Sequence, residues 1–250
     1  MIFLKMIRLC AFGLAVSMAL PLTSIASDYN RDAALTNAKL GMAYLKKGMY
    51  PASKDHLLIA IKEDPDLAVG WYSMAYYLEK TGDPQSADHY YRKAISVDSH
   101  SGSALNNYGT FLCRNGQYQK AIEKFLAAVH EPTYLQASSA YENAGTCALQ
   151  IPNDQLALKY FHLAIDNNPS MPFSLLSVAR LSHQMGDDAS AQKYFELFKN
   201  LAMYKKPDAI VEKYHEYVFS APLLTSPVGA KSSNQVSGNS GETPQLPTPS

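Results

Sequence analysis

Residues 104–128 of the chain, ALNNYGTFLCRNGQYQKAIEKFLAA, contain a pattern of small and aromatic residues that recurs along the sequence. Gly109 is followed by Phe125 and then by Ala128, and equivalent residues appear in four further units at intervals of 34, 34, 36 and 34 residues. The equivalents of Gly109 are Gly41, Ala75, Gly145 and Ala179, those of Phe125 are Leu57, Tyr91, Phe161 and Phe195, and those of Ala128 are Ala60, Ala94, Ala164 and Phe198. Three series in one register indicate an internally repeated protein in which each unit stacks on the next.

A unit of 34 residues with this pattern resembles the tetratricopeptide repeat, a helix-turn-helix hairpin that stacks into a superhelix. The resemblance implies an all-α fold: a tetratricopeptide-repeat superhelix of about five helix-turn-helix repeats with a C-terminal capping helix. We expect the repeat domain to occupy residues 27–220. The repeats are predicted at about 34–67, 68–101, 102–137, 138–171 and 172–205, followed by a capping helix at 207–220 whose apolar stripe is Ile210, Val211, Tyr214, Tyr217 and Val218.

The turns inside the hairpins are predicted from glycine. Gly48, Gly82, Gly116 and Gly186 each follow the small residue of their unit by seven positions, where helices commonly end on a left-handed residue. The fourth unit instead has IPND at residues 151–154, which predicts a proline break and an Asn or Asp cap on the next helix. The two extra residues before that unit coincide with HEPTYL at 130–135, which predicts a longer bend.

The two ends of the chain have their own compositions. Residues 1–26 resemble a secretory signal peptide, because Lys5 and Arg8 precede an apolar run that ends in small residues. The alternative is a single membrane anchor, but the uncharged run is shorter than the ~20 residues that span a bilayer. No lipid anchor is expected, since Cys10 stands at the start of the apolar run. Residues 221–250 are rich in Pro, Ser and Thr and are predicted to be disordered.

Composition and motifs argue against several functions. The 22 basic and 22 acidic residues balance, and no basic run appears, so nucleic acid is not an expected partner. The seven histidines never form the spacing of a zinc hydrolase helix, and no glycine-rich loop follows a strand. We therefore predict no metal, no cofactor and no enzymatic activity.

Cys113 and Cys147 are a candidate disulfide pair. Counted from the small residue of its own unit, Cys113 lies four residues on and Cys147 two, so the two side chains differ by about 200° around their helix axes. They should point toward each other from neighbouring helices, and an exported protein meets an oxidising compartment. The sequence predicts a bond between the third and fourth repeats, with two small buried thiols as the alternative.

The central part of the chain resembles a more specific family. ALNNYGTFLC at 104–113, EPTY at 131–134 and ENAGTCAL at 142–149 are similar to the type IV pilus biogenesis and stability family called PilF or PilW. That resemblance implies a protein facing the periplasm of a Gram-negative bacterium, associated with the outer membrane through a partner. It also implies a role in assembling or localising the secretin, the outer-membrane pore of the pilus. Members that escort secretins are typically lipoproteins, and this chain lacks a matching cysteine.

Peptides commonly bind the concave face of such a superhelix, which is lined by side chains of the first helix of each repeat. Paired asparagines can hydrogen-bond a peptide backbone, and two tyrosines one turn apart can cover an apolar side chain. The alternatives are capping of backbone groups for the asparagines and inter-repeat packing for the tyrosines. The predicted groove residues are Tyr72, Tyr76, Lys80, Asn106, Asn107, Thr110, Arg114, Glu142, Asn143, Thr146 and Arg180.

Two functions follow from this pattern. The first is a non-enzymatic scaffold with one dominant partner, the pilus secretin or another pilus assembly component. The second is a general periplasmic chaperone or adaptor that binds varied apolar peptides in the same groove. An accessory hydrolase is the weakest alternative, because no nucleophile, base and orienting group occur together.

Overall fold

The computed structural model describes residues 22–201 and 208–220, with side chains at 30–201 and 210–220. This part of the chain forms helices joined by short turns and contains no strand. The helices are α1 Leu22–Lys46, α2 Tyr50–Glu63, α3 Ala68–Lys80, α4 Pro84–Val97, α5 Gly102–Arg114, α6 Tyr118–Val129, α7 Ala137–Ala148, α8 Asp154–Asn167, α9 Pro172–Gln184, α10 Asp188–Lys199 and α11 Asp208–Phe219.

The first ten helices pair into five hairpins, and each second helix also contacts the first helix of the next hairpin. The predicted all-α tetratricopeptide-repeat architecture is confirmed, with α11 packed against α9 and α10 as a sixth, unpaired unit. α1 begins at Leu22, before the predicted start of the first repeat at 34, so its first turns overlap the predicted signal peptide. Among the described helices, none combines the length and the apolar character that crossing a bilayer requires.

Four of the five hairpin turns contain the predicted left-handed glycine, and the fourth hairpin turns without one. Gly48, Gly82, Gly116 and Gly186 have φ values of 71°, 85°, 74° and 82°, a backbone region that other residues rarely adopt. The fourth hairpin has no such residue. There the Asn153 side chain accepts a hydrogen bond of 3.1 Å from the backbone N–H of Leu156 and caps α8, as the sequence predicts.

The small and the aromatic residues of the repeat pattern contact each other within a hairpin. A Cβ atom added to Gly109 would lie 2.8 Å from the Phe125 ring, and one added to Gly145 would lie 2.8 Å from the Phe161 ring. Phe125 and Phe161 are almost completely buried. The glycine therefore lets the ring of the second helix lie against the backbone of the first, which explains why both series keep one register.

The junction between the third and fourth hairpins differs from the others. Residues 130–136 link α6 to α7, whereas four residues link the second helix of the other hairpins to the next hairpin, at 64–67, 98–101 and 168–171. The structure also brings Cys113 and Cys147 together at this junction. Their Cα atoms are 5.8 Å apart and their sulfur atoms are in contact, a separation that suits a disulfide. The covalent bond itself stays a prediction.

The last hairpin is covered by α11. Val218 is completely buried and Tyr214 nearly so, in a cluster with Leu175, Phe195 and Phe198. Ile210, predicted on the same apolar stripe, is 39% exposed and lies outside the contact. The first residues of the predicted signal peptide, 1–21, and the predicted tail, 221–250, lie outside the described residues.

Candidate functional site

The predicted groove residues lie on the first helices of successive hairpins. They are distributed over four helices: Tyr72, Tyr76 and Lys80 on α3, Asn106, Asn107, Thr110 and Arg114 on α5, Glu142, Asn143 and Thr146 on α7, and Arg180 on α9. Neighbouring first helices contact each other from α1 to α3, from α3 to α5 and from α5 to α7. The structure therefore places these side chains in a row across repeats, but it engages them in different ways.

An open hollow lies between α1 and α3 at the amino end of this row. It has a volume of about 600 Å³ and is lined by Tyr76 and Lys80, both predicted from the sequence, and by residues of the first hairpin that were not predicted. The added lining residues are Met42, Ala43, Leu45, Lys46 and Tyr50. None of the described residues that line the hollow is acidic. It offers apolar surface edged by two ammonium groups.

Two positively charged side chains lie close to the Tyr76 ring. The Lys80 Nζ lies 5.3 Å from the Tyr76 ring centroid, and the Arg114 guanidinium carbon lies 6.0 Å from it. Both separations fall within the range of cation–π attraction. Two of the three side chains come from α3 and one from α5, so this cluster joins the second repeat to the third.

Glu79 fixes the position of Arg114 and was not predicted. The Arg114 Nε and Nη2 atoms donate to the Glu79 carboxylate at 2.6 and 2.9 Å, a two-bond pairing of planar groups. The Tyr91 hydroxyl donates to the same carboxylate at 3.4 Å. Burial, and then the nearby Glu79 charge, raise the pKa of Tyr91, so its hydroxyl keeps its proton and remains a donor.

The asparagines of the third and fourth repeats bond within the fold. The Asn143 amide donates to the Asn106 side-chain oxygen at 3.0 Å, which links α7 to α5. Asn107 donates to the backbone oxygen of Ser103 at 2.8 Å, and Thr110 to that of Asn106 at 3.0 Å. Asn107 thus bonds a backbone group within the fold, which is the alternative to peptide binding given above. Asn106 and Asn143 bond each other through one donor and one acceptor, and each amide can make further hydrogen bonds.

Groove residues of the fourth and fifth repeats contact their neighbours. Glu142 accepts bonds of 2.7 and 3.2 Å from the hydroxyl and backbone N–H of Ser174 at the start of α9, and burial raises the pKa of Glu142 against the opposing effect of these bonds. The Arg180 guanidinium lies 4.4 Å from the ring centroid of Tyr217 on α11. A smaller hollow beside Arg180, about 240 Å³, is lined also by Asp154 and Tyr217.

Sequence and structure comparisons identify the family. A sequence model of the tetratricopeptide repeat matches residues 53–203. The chain is also 32% identical over 171 residues to the type IV pilus assembly protein PilF of Pseudomonas aeruginosa. This alignment covers 68% of this chain and 67% of that protein. The chain belongs to the PilF/PilW family of tetratricopeptide-repeat proteins.

Solved structures agree with this assignment. A structure of Pseudomonas aeruginosa PilF has a TM-score of 0.66 and 29% identity, covering 78% of this chain and 85% of that one. A crystal structure of PilW, a widely conserved type IV pilus biogenesis factor, has a TM-score of 0.63 and 23% identity, covering 75% and 84%, and shares the fold. This PilF-like protein is therefore related to type IV pilus biogenesis.

The remaining predicted residues of this PilF-like chain are divided between packing and open surface. Tyr72 is half-buried against the core, where burial raises its pKa, so packing accounts for it. Thr146 is exposed, but its hydroxyl donates to the backbone oxygen of Glu142 at 2.9 Å. In the described part of the chain, no three His, Cys, Asp or Glu side chains converge as metal ligands.

Proposed function

We propose that the chain is a non-enzymatic scaffold that acts in the periplasm of a Gram-negative bacterium, where it binds the type IV pilus secretin and supports its assembly or stability. The observation that carries the proposal is the 32% identity to PilF across 171 residues. Tetratricopeptide repeats bind protein partners through surfaces that stacking leaves open. A role in secretin assembly is what the family resemblance of the third and fourth repeats implies.

The geometry supports the amino end of the predicted groove as the binding surface. Tyr76 and Lys80 border a hollow of about 600 Å³, and Tyr50 on its rim is 46% exposed. Tyrosines that present an apolar ring beside open space are frequent anchors in protein interfaces. The Lys80 and Arg114 cations lie within cation–π distance of the Tyr76 ring, which favours one position of the ring beside the hollow.

Binding to the purified secretin tests the proposal. We expect Tyr76→Ala to weaken secretin binding by about tenfold, because a tyrosine at the centre of an interface commonly supplies about 1–2 kcal/mol. Tyr77→Ala is the matched control, since Tyr77 is the next residue on α3 and does not line the hollow. Circular dichroism should show the same helix content for both variants and the parent.

The variant Asn106→Ala asks whether the groove extends to the third repeat. Asn106 is bonded to Asn143, so its loss should weaken binding less than the loss of Tyr76. A deletion strain should fail to form secretin multimers. Normal multimers in that strain, or equal binding of many unrelated apolar peptides, would replace the proposal with the general chaperone.

A further inference from the structure

The first helices carry a column of cations that follows the repeat. Lys46, Lys80 and Arg114 occupy the position five residues after the small residue in the first three repeats, and the same position is Gln150 and Gln184 in the last two. The column lies at the carboxyl ends of α1, α3 and α5. Positive charge is therefore concentrated at the amino half of the row although the whole chain is neutral.

Two of these three charges have no counter-ion among the residues that the structure describes. Arg114 is paired with Glu79, but within the described residues no ion pair joins Lys46 or Lys80 to a carboxylate. Both lysines are exposed and both line the hollow that Met42, Leu45 and Tyr76 make apolar. A surface that combines an apolar floor with unpaired cations is complementary to a ligand with an apolar side chain and nearby carboxylates.

We infer that the hollow between α1 and α3 recognises an acidic segment of the partner protein, in which a bulky apolar residue is flanked by aspartate or glutamate. The apolar residue occupies the floor beside Tyr76, and the carboxylates face Lys46 and Lys80. The inference rests on the proposed function in that the natural occupant is a protein segment. Its chemistry, however, can be tested without the secretin.

Three fluorescent peptides of equal length provide the probes: one phenylalanine flanked by glutamates, by glutamines or by lysines. We expect the parent protein to bind the glutamate peptide about tenfold more tightly than the glutamine peptide, since each of two exposed charge pairs strengthens binding by a small factor. The difference should shrink as salt is raised, because counter-ions screen exposed charges.

Charge reversal gives the decisive comparison. In Lys46→Glu/Lys80→Glu the preference should change to the lysine peptide, while the control Lys54→Glu/Lys120→Glu, with the same change in net charge, should retain the preference for glutamate. Lys54 and Lys120 are exposed on the second helices α2 and α6, and neither lines the hollow. If the reversed variant loses helix content, Lys46→Gln/Lys80→Gln replaces it and should bind all three peptides equally.

Equal binding of the glutamate and glutamine peptides by the parent would overturn the inference, as would a loss of preference in the control variant. Capture of the parent by phosphatidylglycerol vesicles that the glutamate peptide does not displace would assign the lysines to a membrane instead. The two proposals fail separately. If the secretin binds the parent and the charge-reversed variant equally, this inference alone is wrong. If the secretin binds neither protein while the parent still prefers the glutamate peptide, the proposed function alone is wrong.

Discussion

The amino and carboxyl halves of the repeat array differ in how far the chain's own side chains engage the same row of positions. Between α1 and α3 the row borders a hollow of about 600 Å³ lined by Lys46 and Lys80, and among the described residues neither lysine has an ion-pair partner and no acidic residue joins the lining. Around α9 the hollow is about 240 Å³, is lined by both Arg180 and Asp154, and has Tyr217 of α11 over the guanidinium. Side chains of the carboxyl half are thus engaged by the chain itself.

Among the described residues, a further helix packs on the last hairpin of the array but not on the first. The first hairpin exposes Leu40, Leu58 and Ile59 at 39–45%, and the carboxyl end likewise exposes Leu197 at 43% and Ile210 at 39%, but α11 also buries Val218 completely against the last hairpin. A stack of repeats must cover its terminal apolar surface or present it to something else. The chain covers one end, and the other end borders the surface that we propose for the partner.

The largest effect is expected at the junction that joins the two halves. A bond between Cys113 and Cys147 closes a separation of 34 residues, and reducing it should lower the free energy of unfolding by about 3–4 kcal/mol. Urea unfolding of oxidised and reduced protein measures the loss. The variant Cys113→Ser/Cys147→Ser should match the reduced protein and should not respond to reductant.

Peptide mapping tests the bond itself. Digestion without reductant should yield one peptide pair that contains both cysteines and lacks two hydrogen atoms. Complete alkylation of both residues in unreduced, denatured protein would show two buried thiols instead, which is the alternative that the sequence leaves open. The junction would then have no covalent cross-link, and packing and hydrogen bonds such as that between Asn106 and Asn143 would hold the two halves against each other.

A matched pair of substitutions tests the contrast between the ends. Val218→Asp places a carboxylate in a completely buried position and should destabilise the protein by about 3 kcal/mol, whether the charge is buried or α11 detaches. Leu58→Asp, at a position 45% exposed on α2, should change stability by no more than about 0.5 kcal/mol. Urea midpoints measure both, and equal losses would show that the first hairpin is also covered.

The fold could be predicted because the deciding contacts repeat at a fixed distance along the chain. Gly109 and Phe125 touch within one hairpin, as do Gly145 and Phe161, so one periodic pattern encodes every hairpin. The asparagine cap at Asn153 could also be predicted, since capping depends on residues a few positions away.

The site could be predicted only in part, because its decisive contacts do not repeat. Glu79 looks like an ordinary exposed helix residue in the sequence, and only the stacking of α3 on α5 pairs it with Arg114, 35 positions later. Tyr217 lies beyond the last full repeat, so its position over Arg180 could not be read from the period. The hollow is also lined by Met42 and Tyr50 of the first hairpin, and nothing in the sequence around these two residues distinguishes them from ordinary packing residues.

The smallest effect concerns Glu142, where the carboxyl half uses a predicted groove residue to hold its own fold. Burial raises the pKa of Glu142 in the folded protein, so between the unfolded value of about 4.3 and the folded value the folded state retains a proton that the unfolded chain has lost. The stability contributed by this group is fully present below the unfolded pKa and is lost as pH rises through the folded pKa.

Relative to Glu142→Gln, which keeps an oxygen to accept from Ser174, the protein should therefore lose stability, by less than about 1 kcal/mol, as pH rises from about 4 to about 7. Urea midpoints measured across this range should separate progressively. Parallel curves would mean that Glu142 is open to solvent, and the carboxyl half would then resemble the amino half more closely than the hydrogen bonds to Ser174 indicate.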